Sequence, residues 1–120
     1  MKTTISALCL IALLAALPAA AQVDLSRYVA LGDSVTAGFV SGSLLDWYQD
    51  RSYPALLARQ AGVSTFEQPL VSEPGVPAIL ELVSLQGPVI QPVALEPGFP
   101  YNAEYPLPYN NLGVPGATLF

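Results

Sequence analysis

The chain contains no histidine, and its single cysteine, Cys9, and single lysine, Lys2, both fall within the first ten residues. Each shortage excludes a chemistry. Without histidine, no imidazole base stands anywhere in the 120 residues. Without a cysteine beyond Cys9, the remainder holds no disulfide, thiolate metal site or cysteine nucleophile. Basic residues stop at Arg59. From residue 22 onward, three arginines stand against nine acids, a net charge near −6. Nucleic acid and an anionic membrane surface both need a basic face, so neither is an expected partner. The acids are scattered, with no histidine or cysteine to join them, so neither a metal nor another cofactor is expected. The length allows one domain at most.

The first 21 residues read as a secretory signal. Lys2 precedes an apolar run from Ile5 to Leu17, and Ala19-Ala20-Ala21 supplies small residues for cleavage between Ala21 and Gln22. An uncleaved anchor is the alternative, but the run is shorter than the ~20 residues a spanning helix needs. Ser6-Ala7-Leu8 before Cys9 does not fit a lipoprotein signal. The expectation is a secreted or periplasmic chain with no stable membrane anchor after cleavage.

Proline is unevenly spread: ten of twelve lie between Pro69 and Pro115. Proline removes a donor and fixes φ, so this region holds neither a long helix nor a central strand. A looped stretch of roughly 40 residues is too long for an ordinary connection. A chain of this size buries only about 60% of its unfolded surface. Together these features read as a portion of a larger domain. Within the stretch, Ile79–Leu85 and Val89–Leu95 are expected to pair as a hairpin around Gln86-Gly87-Pro88, with Pro92 on an edge. Pro74-Gly75-Val76-Pro77 and Pro97-Gly98-Phe99-Pro100 have the spacing of polyproline ligands, but the central glycines favour plain turns.

Elsewhere the order is that of an alternating α/β chain. Tyr28-Val29-Ala30-Leu31 is an apolar run of the kind buried on both faces in a parallel sheet, and Gly32 ends it. Val35 to Tyr48 has room for a short helix and a loop. Ser52–Ala61 predicts a helix with Pro54 at its start, Gly62 at its end and Leu56, Leu57 and Ala61 as its buried stripe. Tyr109–Val114 predicts a second strand, running into Pro115-Gly116-Ala117-Thr118, a turn expected to open another helix. Sites in such sheets lie outside the carboxyl ends of the strands.

Two turns at that edge carry the chemistry. In the first, Gly32-Asp33-Ser34, a serine sits just past a strand, where it would be exposed and firmly held. It becomes a nucleophile only when a base takes its proton. The alternative is ordinary helix capping by Asp33 or Ser34. In the second, Asn111-Leu112-Gly113-Val114-Pro115-Gly116, glycines let backbone N–H groups approach a ligand. A tight strand-to-helix turn is the plain alternative. A dinucleotide-binding turn lacks its first glycine, since Asn111 holds that place.

"YVALGDSVTAGF" followed by "YNNLGVPGAT" resembles the SGNH hydrolases, the GDSL lipase/esterase family. The resemblance covers residues 28–64 and 109–120 and leaves 65–108 as an insertion. It implies a three-layer α/β/α sandwich with a mostly parallel sheet, of which this chain holds the N-terminal part. It implies that Ser34 is the nucleophile and contributes its own N–H to an oxyanion hole, and that Gly116 contributes a second N–H. Gly32, Asp33, Asn111 and Gly113 would support the two turns. The implied substrate is a small-molecule, lipid or glycan ester. The sequence departs from the family pattern in having no G-x-N-D asparagine and no D-x-x-H. Ser34 therefore has no base within these residues, and a truncated, inactive chain is expected. A non-catalytic acyl- or glycan-binding relative is the alternative. The insertion carries Phe99, Tyr101 and Tyr105 and is expected to line the substrate cleft or act as a lid, the alternative being a surface loop packed on its own aromatics.

Overall fold

The computed structural model describes residues 23–105 and 108–118. The expected signal at 1–21 with its cleavage site, Cys9, Leu119 and Phe120 lie outside the described residues. Among the described residues, no helix is long and apolar enough to cross a membrane.

The elements are β1 (Ala30–Gly32), α1 (Ser34–Ala37), α2 (Asp46–Gln49), α3 (Tyr53–Gln60), β2 (Leu80–Ser84), β3 (Val89–Pro92) and β4 (Asn111–Gly113). They form an α/β arrangement with two separate sheets. β1 and β4 run parallel, with Ala30, Leu31 and Gly32 opposite Asn111, Leu112 and Gly113. β2 and β3 form the expected antiparallel hairpin, and Pro92, opposite Leu80, ends it.

The interior is built from small and polar side chains. Ala30, Ala37, Leu45, Ala55, Ala58, Val71 and Ala78 are its buried apolar residues. Thr36, Ser43, Gln49, Ser52, Gln68 and Asn111 are buried beside them. A buried amide costs free energy unless all its groups are bonded. Gln49 meets that demand by copying a strand partner. Its Nε2 donates to Pro69 O (2.7 Å), and its Oε1 accepts from Val71 N (2.9 Å). Asn102 does the same one step away, accepting from Leu70 N (2.8 Å) and donating to Gln68 O. Asn110 accepts from Glu67 N (2.9 Å) and donates to Tyr28 O (2.9 Å). Proline limits the backbone donors of residues 67–71, and side-chain amides complete their bonding. This part of the insertion is therefore a wall of the core.

Two expectations about burial need correction. β1 is not buried on both faces: Ala30 is buried, but Leu31 is 72% exposed and Val29 is 47% exposed. One neighbouring strand and one short helix cannot cover both sides. In α3 the buried stripe is Pro54, Ala55 and Ala58, and Leu56, Leu57 and Ala61 lie outward. Small side chains one turn apart let the helix lie close to the core, and that closeness selects the face. After β4 the chain makes the expected turn, with Ala117 N donating to Val114 O (3.0 Å); the helix expected beyond it would lie outside the described residues, which end at Thr118. Of the two proline–glycine segments, Pro74–Pro77 is a turn, whereas Pro97–Pro100 is not and instead lies against Val71 and Ser72, with Ser72 N donating to Phe99 O (3.0 Å); the segments touch through Gly98 N and Gly75 O (2.8 Å).

Candidate active site

Both motif turns leave the same end of the parallel pair, where Gly32 and Gly113 form the last register pair. Val114 N donates to Gly32 O (2.9 Å) and ties the second turn to the first. α1 starts at once after β1. Asp33 is its N-cap, and its Oδ1 accepts from Val35 N (3.0 Å). Asp33 O then accepts from Ala37 N (3.0 Å). The capping role that the sequence left open between two residues falls to Asp33. Ser34 becomes the first helical residue, partly exposed, with its hydroxyl outside the cap.

The glycines explain how the pieces fit so closely. A Cβ on Gly32 would collide with Thr36 Oγ1. A Cβ on Gly113 would collide with Ala37 N and come within 2.8 Å of Thr36 C, because α1 lies directly on β4. Gly116 differs: a Cβ there would meet nothing, and its requirement is a left-handed φ of 85°.

Asn111 locks the layers together. It is 3% exposed. Its Nδ2 donates to Thr36 O (2.8 Å) and Gln68 Oε1 (2.9 Å), and its Oδ1 accepts from Gly113 N (3.0 Å). One side chain thus joins β4, the helix that carries Ser34, and the insertion. Thr36 completes the assembly, with its buried Oγ1 3.1 Å from Tyr53 OH on α3.

Gly32 and Asp33 of the first turn and Ala117 and Thr118, just past the second, line one largely apolar depression of about 610 Å³ with Leu31 and Thr36; Ser34, Asn111, Gly113 and Gly116 are not in its lining. A depression of similar volume between residues 23–26 and 61–65 contains no residue of either turn. Among the described residues, no cluster of acids, histidines or cysteines could hold a metal ion. Burial raises the pKa of the Tyr28 hydroxyl, and the nearby Tyr53 adds to the effect. The Tyr28 ring stacks on Phe66 with centroids 5.4 Å apart.

The structure therefore brings Gly32, Asp33 and Ser34 together with Asn111 and Gly113, with Gly116 in the turn that follows. Sequence reasoning missed Thr36, Tyr53, Gln49 and Gln68. Only Thr36 carried a signal in the sequence, as a polar residue between apolar Val35 and Ala37. Asn102 and Asn110, the asparagines of the insertion and of the start of the second motif, have structural bonds. No family model matches the chain, and no curated protein or solved structure matches it.

Proposed function

We propose that this chain carries the nucleophile of a secreted serine ester hydrolase of the SGNH type, built on a three-layer α/β/α sandwich. The observation that supports the reading best is the division of labour at the first turn. Asp33 satisfies the helix start, and Ser34, partly exposed, follows it as the first helical residue, beside a turn held by Asn111 and Gly113.

In this reading, Ser34 Oγ attacks the carbonyl carbon of an ester while a base removes its proton. The carbonyl π electrons move to oxygen, and the Ser34 and Gly116 N–H groups stabilise the resulting oxyanion. Collapse expels the alcohol and leaves an acyl-serine, which water hydrolyses by the reverse sequence. The base comes from outside the 120 residues, because they contain no histidine. The chain by itself is then a poor catalyst: a missing oxyanion donor alone costs about 10²–10³ in rate, and the base is missing too.

The lack of histidine also favours a second reading, a module that binds an ester or acetylated glycan without cleaving it. Hydrolysis of a p-nitrophenyl ester by the protein purified from its native host separates the two. Turnover lost in Ser34→Ala supports the hydrolase. Ester binding by calorimetry without turnover in either form supports the module and refutes the hydrolase.

A further inference from the structure

α1 has four residues, far below the length at which a helix holds itself together in water. Its position is set by its neighbours, and with it the position of Ser34. Asp33 ties its start and Asn111 ties Thr36 O to β4. Thr36 Oγ1 is the third tie. It lies against Gly32, where no Cβ would fit, and it pairs with Tyr53 OH at 3.1 Å. This hydroxyl pair joins α1 to α3. Thr36 is 4% exposed, and Tyr53 is 46% exposed. Removing the tyrosine hydroxyl therefore disturbs little packing but leaves a buried threonine hydroxyl without that partner.

We propose that Tyr53 is a positioning residue for Ser34, acting through Thr36, an assignment that rests on reading Ser34 as the nucleophile. The Tyr53 hydroxyl holds Thr36 in the rotamer that packs on Gly32. That contact fixes the start of α1 relative to the end of β1. Without it, Thr36 turns toward another partner, α1 shifts on β1, and Ser34 Oγ loses its fixed aim. Small errors of aim are costly in attack geometry.

The test uses the whole chain with Tyr53→Phe, Thr36→Val and Thr36→Ser. Two readouts are taken: exchange of the Ala37 amide, which donates to Asp33 O within this turn, and the rate at which a fluorophosphonate labels Ser34 in the presence of imidazole. Loss of one hydrogen bond predicts that Tyr53→Phe and Thr36→Val speed Ala37 exchange roughly three- to ten-fold. Ser34 labelling slows by a similar factor, and Thr36→Ser restores both. Exchange of the Ala61 amide at the end of α3 stays unchanged. Unaltered Ala37 exchange in Tyr53→Phe overturns the proposal, as does unaltered labelling where the wild-type chain labels. If wild-type Ser34 does not label, the nucleophile reading fails separately, and Ala37 exchange alone decides whether Tyr53 positions Ser34.

Discussion

The parallel pair β1–β4 and the hairpin β2–β3 stand at opposite extremes. Each parallel strand has three residues, and the hairpin strands have five and four. By strand length alone the hairpin is the stronger element. Yet Leu80, Leu82, Val83, Val89 and Ile90 are all more than 40% exposed. The short pair meets α1 in a contact so close that two glycines are required, and Asn111 stitches it from within. A two-stranded ribbon alone is marginal in water. A three-residue strand can be rigid when side chains on three sides fix it. Rigidity here follows side-chain ties and close contact, and strand length contributes little.

That contrast predicts unequal responses to substitution. The largest effect is expected for Gly113→Ala, which drives a Cβ into the α1 backbone. The loss should be about 3 kcal/mol or more, read from denaturant unfolding. A loss below about 1 kcal/mol would show that α1 does not lie on β4 as described. Next is Gln49→Ala, which leaves Pro69 O and Val71 N without partners in the core. It should cost about 2–4 kcal/mol. On the hairpin, Ile90→Thr should change stability by no more than about 0.5 kcal/mol, since the side chain is 63% exposed. A larger loss would mean that the hairpin face is covered in solution.

The smallest expected effect depends on pH. Burial raises the pKa of the Tyr101 hydroxyl, and its hydrogen bond to Asp46 Oδ2 (3.1 Å) and the charges of Asp46 and Asp50 add to that. A folded pKa above the unfolded value, about 10, means that the contribution is complete below pH 10. It disappears as pH rises through the folded pKa. Tyr101 is half exposed, so solvent screens the effect. The unfolding midpoint should drop slightly above pH 10, and Tyr101→Phe should flatten that slope.

The two regions were also unequally legible in the sequence. The hairpin announced itself through Gly87 and two apolar runs, and β4 through "YNNLGV" with its flanking turn signals. These are local patterns, and local chemistry decides them. The position of β1 was legible, but its exposure was not, because burial depends on how many neighbours cover a strand. The stripe of α3 was misassigned for a related reason. Leucine is the more apolar residue, but alanine permits the closer approach, and sequence does not state how near the next element lies. At the site, Gly32, Asp33 and Ser34 could be read as one turn. The ties from Thr36 to Tyr53 and from Asn111 to Gln68 span 17 and 43 residues, and no local pattern marks them. The same holds for Gln49, which reaches 20 residues along the chain to Pro69.

The central claim is that Ser34 is presented as a nucleophile and that an added base can activate it. The most direct measurement is fluorophosphonate labelling of the chain with and without added imidazole, mapped by mass spectrometry of its peptides. The account predicts little labelling without imidazole. With imidazole, an adduct should form on Ser34 in clear preference to Ser26, Ser41, Ser64 and Ser84, and none should form at position 34 in Ser34→Ala. Equal labelling of these serines, or none at Ser34 with imidazole present, would contradict it.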